Sequence, residues 1–349
     1  VRIEVKNYGP AELERTMIEL GEKPFHGRQL AQWIYHHGVN DFDLMSSFSV
    51  AFRARLSEHF TVFRYPAYER IPSLDGSCKY LFTAHDGEII ESVSIPDEKK
   101  ITFCLSTQVG CPLGCSFCLT GKRGFSRNLS TAEIVEQFLV MKFHEGYDFR
   151  RTNVVLMGMG EPLLNYDAVS GFLGIANHDF GLGLSSRKIT LSTAGYLPGL
   201  EKFCHEWPNI QLAVSLNAST DALRSGLMPL NMKYPLAELI TFLKQYPLAK
   251  RRTITIEYVL MQGVNDSDRQ AAELADLLRG VRCKINVIPF NPVIELPFER
   301  PSEERIEAFS TFLHLKHYTV MVRRSRGVDV GAACGQLGQA RHQVQGEHQ

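Results

Sequence analysis

Cys104-Leu105-Ser106-Thr107-Gln108-Val109-Gly110-Cys111-Pro112-Leu113-Gly114-Cys115-Ser116-Phe117-Cys118 is the stretch whose reading decides the fold. It leaves a β-rich run at 101–106, and from there the chain changes character. Short β-rich runs at 101–106, 153–157, 188–192, 211–216, 253–260 and 285–289 alternate with amphipathic helical runs. The helical runs are 131–145, 167–177, 197–207, 236–244, 267–278 and 303–314. Thr131 to Ile134 has N-cap character, and Ser267 stands before a helix-forming run. Strands that are each followed by a helix predict a parallel sheet with helical crossovers. Such a sheet is an open doubly wound one, or a full or partial barrel. Either places ligands at the carboxyl ends of its strands, where the cysteine stretch lies.

Upstream, the first sixty or so residues read as helical, with apolar residues at Leu13, Met17, Ile18 and Leu20, then Leu30, Trp33 and Ile34, then Phe48, Phe52 and Leu56. Residues 78–96 turn to β signals around His85-Asp86-Gly87, and an Asp-Gly pair favours a hairpin. Downstream, a short strand at 318–323 precedes a Gly-rich tail, and the last dozen residues are polar and expected to be disordered. The expected division is 1–62 helical accessory, 63–99 β-hairpin extension or linker, 100–326 α/β core, and 327–349 C-terminal segment. No internal repeat is evident.

Composition narrows the function classes. In 349 residues, 44% are hydrophobic, enough for a sizeable core, which excludes a disordered chain. No apolar run approaches the roughly twenty residues of a membrane-spanning helix, and Val1 to Lys6 has no apolar leader, so a non-membrane, cytoplasmic protein is expected. Lys plus Arg and Asp plus Glu are each 38, so the net charge is zero and an RNA partner would need a local basic patch. Of the eight cysteines, Cys104, Cys111, Cys115 and Cys118 crowd into one stretch, and metal or catalytic roles are favoured over a disulfide framework.

The last three cysteines are spaced C-x3-C-x2-C. Structural zinc wants four closed ligands, usually two separated pairs. Three bundled thiols suit a [4Fe-4S] cube with one iron left open, although zinc or an accidental grouping stays possible on spacing alone. The spacing, with aromatic Phe117 before the last cysteine, resembles the radical S-adenosylmethionine (SAM) superfamily. That resemblance implies a partial (β/α)6 barrel, a [4Fe-4S] cluster on Cys111, Cys115 and Cys118, and SAM as ligand. Gly158-Met159-Gly160-Glu161-Pro162 resembles the superfamily's SAM-amino motif; read alone it is a tight turn. Gly160, Glu161, Ser192, Ser215, Leu216, Asn217 and Asn291 lie at or past strand ends and form the expected SAM-binding set, though each alone reads as a turn or cap residue.

The outlying thiols narrow the resemblance. Cys104 precedes the cluster motif, and Cys334 lies in Ser325-Arg326-Gly327-Val328-Asp329-Val330-Gly331-Ala332-Ala333-Cys334-Gly335-Gln336-Leu337. Read singly, each is a buried inert thiol. Together with Lys23 to Leu30, Trp33-Ile34-Tyr35, Glu91 to Pro96, Gly121 to Leu129 and Gly263 to Ser267, they resemble the radical SAM RNA adenine methyltransferases. The resemblance is closest to the dual-specificity 23S rRNA and tRNA carbon-2 enzymes and extends to the carbon-8 resistance enzymes.

It implies the following chemistry. Carbon 2 of adenine is electron-poor and does not attack a SAM methyl. Two SAM molecules are therefore used per turnover, as methyl donor and as radical source. Cys334 becomes S-methylcysteine, and its carbon then joins the ring. Cys104 resolves the adduct through a disulfide with Cys334, and Glu91 is the proton acceptor or an acid that orients the substrate; read alone, Glu91 is a solvent-facing residue at a strand start. Partners implied are 23S rRNA in its peptidyl-transferase region, some tRNAs, and an electron donor such as flavodoxin. Alternatives are carbon-8 methylation, a radical SAM enzyme with another substrate, and a non-catalytic iron–sulfur or zinc RNA-binding protein; Cys104, Glu91 and Cys334 speak against the last. Basic runs occur at Lys99-Lys100, Lys122-Arg123, Lys250-Arg251-Arg252 and Arg323-Arg324-Ser325-Arg326, and the last is the candidate phosphate contact.

Overall fold

The computed structural model describes residues 2–146 and 151–338; the expected disordered tail lies almost wholly outside them. The N-terminal region pairs β1 (Ile3–Glu4) in parallel with β2 (Phe60–Thr61) around α1 (Pro10–Glu19), α2 (Phe25–Ala31) and α3 (Val50–His59). A π-helical turn, Gln32–His36, continues α2. The two-residue strands carry no periodicity that a sequence reading could detect.

The second region is more than a hairpin. β3 (Ala67–Pro72), β4 (Cys78–Thr83) and β5 (Ile89–Asp97) run antiparallel, and β5 pairs directly with β6 (Lys100–Cys104). Residues 63–99 therefore extend the main sheet instead of linking two bodies. The predicted turn forms, with Gly87 at φ 81°.

After β6 come the small antiparallel pair β7 (Gln108–Gly110) and β8 (Phe125–Asn128), with α4 (Leu119–Lys122) between them. The alternation follows as α5 (Thr131–Glu145), β9 (Thr152–Leu156), α6 (Tyr166–Asn177), β10 (Ile189–Thr193), α7 (Leu197–Glu206) and β11 (Gln211–Ser215). It continues with α8 (Asp221–Leu227), α9 (Leu236–Gln245), β12 (Ile254–Leu260), α10 (Asp268–Leu277), β13 (Cys283–Pro289), α11 (Glu303–Leu315) and β14 (Val320–Val322). The sheet order is β14-β13-β12-β11-β10-β9-β6-β5-β4-β3, parallel from β6 to β14 and not closed on itself. This is the expected α/β partial barrel. Ser130, one residue before the predicted position, caps α5 in a reciprocal box with Glu133, and Ser267 does the same for α10 with Gln270.

Side chains alternate across each strand. Ile101, Phe103, Val154, Leu156, Ile189, Leu191, Leu212, Val214, Ile254, Ile256, Ile285 and Val287 all join the main core. The same core takes Phe138, Phe172, Phe203, Leu239, Leu274 and Phe309 from the helices. The opposite face holds Thr102, Cys104, Thr190, Ser192, Ser215, Thr255, Glu257, Lys284 and Asn286. Buried parallel sheets are usually apolar on both faces; a polar inner face is one built to meet a polar ligand.

The helical region shares the main core through Leu13, Ile34, Phe52 and Phe60. It is also pinned by a buried ion pair between Lys6 and Glu136 of α5, and by Asn7, which accepts from the Ala132 amide at 2.9 Å. Among the described residues no helix is long and apolar enough to cross a membrane.

Candidate active site

The cysteine loop leaves β6 and is tied down by its backbone. Cys111 N donates to Gly124 O at 2.8 Å, Ser116 N to Leu227 O at 2.9 Å, and Cys118 N to Cys115 O at 3.2 Å. Gly110 has φ 75°, and a Cβ there would stand 2.0 Å from Gly124 O, so the turn into Cys111 requires glycine. Phe117 is buried with Ala194, Met228, Met261 and Phe290, which anchors the loop between its last two thiols.

Cys111, Cys115 and Cys118 are half-buried and close enough to act on one another electrostatically. Burial pushes the Cys111 thiol up to about 12 and raises Cys115 further. As thiols they are poorly solvated; as thiolates they need a compensating cation, which a cluster provides. Among the described residues no three His, Cys, Asp or Glu side chains converge on a single ion, as a zinc centre would need. A cube instead takes each thiolate on a different iron, so the donor set fits a [4Fe-4S] cluster.

The Gly158–Pro162 turn packs onto the strand that feeds this loop. A Cβ on Gly158 would stand 2.5 Å from Ser106 Oγ, and one on Gly160, at φ 104°, 2.6 Å from Gln108 Cβ. Glu161 is buried, its amide donating to Gln108 Oε1 at 2.8 Å and its carboxylate accepting from Ala194 N at 2.8 Å and Leu163 N at 3.2 Å. Burial outweighs those bonds and raises its carboxyl to about 7. The structure thus joins the ends of β9 and β10 through Glu161.

The other SAM-set residues divide. Ser192 and Ser215 are partly exposed on the inner face. Leu216 turns its side chain into the outer core, its backbone N–H donates to Glu257 O, and its C=O accepts from Arg224. Asn217, at φ 59°, uses its side chain to accept from Val259 N at 2.8 Å, which links β11 to β12. Asn291 donates to Cys334 O at 3.0 Å and so touches the C-terminal segment.

That segment crosses the inner face. Ala332 and Leu337 pack with Val93, Cys104 and Met159. Leu119 N donates to Gly335 O at 2.9 Å and Thr120 Oγ1 to Leu337 O at 2.7 Å, which brings the segment onto the cysteine loop. Cys104 is buried and its thiol is raised to about 12, first by burial and then by neighbouring Cys334. Cys334 is solvent-exposed, yet surrounding protein raises its thiol too, as for a side chain lining a concave site. Arg323 favours the thiolate at both. The two outlying cysteines are therefore neighbours, both free thiols.

Glu91 is buried and closes the arrangement. Its Oε2 pairs with Lys79 Nζ at 2.8 Å, and its Oε1 accepts from Gly338 N at 2.9 Å. Lys79 also donates to Val330 O at 3.4 Å and Gly331 O at 3.3 Å. One ion pair thus holds the Cys334 segment at both ends. A cavity of about 220 Å³ opens beside Glu91, lined also by Gly110, Arg123, Phe125, Met159 and Gly338.

Sequence reasoning missed Lys79, Arg224 and Glu257. Arg224 is fully buried, donates to Leu216 O, Ala194 O and Ser215 O, and sits near Cys115; burial lowers its guanidinium to about 10. Its short helix also carries Asp221 and Ser225, so an arginine there reads as solvent-facing. Of the basic runs, Lys250 and Arg251 are exposed, as expected of a solvated face, and Arg323 and Arg324 are exposed beside the site. Arg326 instead donates to Asp75 O at 2.8 Å.

Two family models match. The Radical SAM superfamily covers residues 105–275, and the ribosomal RNA large subunit methyltransferase N-terminal domain covers 3–62. The chain is 45% identical over 339 residues to the dual-specificity RNA methyltransferase RlmN of Syntrophus aciditrophicus, spanning 96% of each protein. It is 47% identical over 335 residues to that of Desulfosudis oleivorans, spanning 96% of this chain and 90% of the relative. A radical SAM methyltransferase of Sphaerobacter thermophilus has a similar crystal structure, with TM-score 0.90 and 40% identity over 96% of this chain and 98% of that one.

Proposed function

The chain belongs to the RlmN family of dual-specificity radical SAM RNA methyltransferases, and from that membership we propose that it methylates carbon 2 of an adenosine in 23S rRNA and in some tRNAs. The observation that carries the reading is Cys334 brought beside Cys104 on the inner face, next to three thiols suited to an iron–sulfur cluster. A non-catalytic RNA-binding protein has no use for that pair.

When bound, the cluster and SAM supply an electron, a methyl group and a carbon radical able to remove hydrogen. The protein's own groups do the rest. Cys334 loses its proton, aided by Arg323, and its sulfur takes a methyl group. After loss of a hydrogen, the carbon on Cys334 adds to the adenine ring, and the radical adduct gives up one electron, which the oxidised cluster would accept, and one proton. The cavity beside Glu91 suits a flipped base, and Glu91 accepts the proton that leaves the ring. Cys104 attacks the Cys334 sulfur and forms a disulfide; the bond from that sulfur to the bridging carbon breaks, and the carbon takes up a proton as the methylated base leaves. A reductant such as flavodoxin then restores both thiols. Ser192, Ser215, Gly160 and Glu161 hold SAM, while Asn217 and Leu216 shape the strand ends around it. Arg323 and Arg324 meet phosphate.

Nucleoside mass spectrometry of rRNA and tRNA from cells with and without the gene tests this. Loss of 2-methyladenosine from both pools is expected. Loss of 8-methyladenosine, or of neither, overturns it.

A further inference from the structure

Register aligns Ser215 of β11 with Glu257 of β12, and Glu257 with Asn286 of β13. All three alternate with residues that enter the outer core, so all three face inward. Glu257 and Asn286 are each 5% exposed. Asn286 Nδ2 donates to Glu257 Oε1 at 2.9 Å. That bond leaves Glu257 Oε2 and Asn286 Oδ1, two buried acceptors without a donor from the protein. Arg323 and Lys284 act on Glu257 through space and do not bond that oxygen. Folded interiors leave few such atoms bare, and bare ones call for a bound donor. Glu257 also lies close enough to Cys334 to oppose its ionisation.

The geometry points to Glu257 and Asn286 as an acceptor pair for the adenosine moiety of a bound ligand, an inference that rests on the RlmN-family reading. The ribose diol of an adenosine presents two hydrogens, as does its 6-amino group, which matches two bare acceptors. SAM and the target nucleotide each bring such a moiety. Alignment with Ser215 favours SAM. The glutamate is a binding residue and takes no part in bond making.

The test uses cluster-reconstituted full-length protein, with S-adenosylhomocysteine as one probe and an in vitro transcript of 23S rRNA as the other. Glu257→Gln keeps the volume and the bond to Asn286 but turns an acceptor into a donor. Its Kd for S-adenosylhomocysteine rises about ten- to a hundredfold, the worth of a hydrogen bond to a charged group. Its Kd for the transcript stays within about twofold by the same arithmetic. Asn286→Ala, which leaves the Glu257 carboxyl in place, is read alongside, with iron content and melting temperature as controls on folding. Weakened transcript binding with normal S-adenosylhomocysteine binding supports the acceptor pair and makes the target nucleotide its ligand. Wild-type affinity for both probes in both folded variants overturns it. Wild-type protein that binds neither probe would instead count against the family reading.

Discussion

Replacing Lys79 with Met breaks the ion pair that holds both ends of the Cys334 segment. The Lys79 and Glu91 side chains are 4% and 1% exposed and 2.8 Å apart. Removing one partner of such a pair strands a buried charge, at a cost of roughly 3–5 kcal/mol. The bonds to Val330 O and Gly331 O are long and add about 1 kcal/mol together. The sum, about 4–6 kcal/mol, has two ways to appear. If the segment stays docked, the melting temperature falls by roughly 5–8 °C. If the segment lets go first, the cost is capped by its release, and Cys334 reacts faster with an alkylating agent. Thermal melts and alkylation followed by mass spectrometry of the Cys334 peptide read both. Lys79→Met with Glu91→Leu removes both charges and should be less destabilised than Lys79→Met alone, since neither charge is then left buried without its partner. Unchanged melting together with unchanged alkylation in Lys79→Met would refute the clamp.

Two further outcomes follow from the site. Cys104→Ala should cost at most a few kcal/mol yet stall the reaction with RNA bound covalently to Cys334. The cross-link should survive denaturing electrophoresis, be lost in the double variant with Cys334→Ala, and not arise from Cys78, Cys204 or Cys283 variants; free methylated RNA without a cross-link would assign resolution to another group. Glu161 binds its proton up to about pH 7 in the folded protein, above the 4.5 of an ordinary glutamate. The folded state therefore holds more protons than the unfolded one between these values, and its stability falls as pH rises through that window. Melts of iron-free wild-type and Glu161→Gln protein from pH 4.5 to 7.5 should converge at the acid end and part toward neutrality; parallel curves would contradict the raised carboxyl.

What was legible in the sequence was local. C-x3-C-x2-C, the glycines of the 158–162 turn and the strand–helix alternation are each written within a few residues, and the structure builds the expected partial barrel from them. Cys104 and Cys334 are far apart in the chain, and only the family resemblance paired them. Lys79 was hidden because a lysine in a strand reads as solvent-facing, and its partner Glu91 is set by the β4–β5 pairing. Glu257 and Asn286 were hidden for the same reason: strand pairing, not chain proximity, makes them neighbours. Asn217 and Leu216 showed the opposite limit. Their positions past a strand end suggested ligand contacts; the bonds the fold shows are those of the Leu216 backbone to Glu257 O and Arg224 and of the Asn217 side chain to Val259 N.

The C-terminal segment is also a matter of timing. Thr120 Oγ1 waits for a carbonyl 217 residues later in the chain, and Ser73 Oγ for a carboxylate 256 residues later, at 2.7 and 2.5 Å respectively. A chain made from its N-terminus finishes the cysteine loop and most of the sheet well before either partner exists. The inner face is then uncovered while the thiols at its rim are already in place. A group seated on the cysteine loop would have an open route to it until Ala332, Gly335 and Leu337 settle, so the stretch that brings Cys334 to the inner face is also the stopper of the vessel.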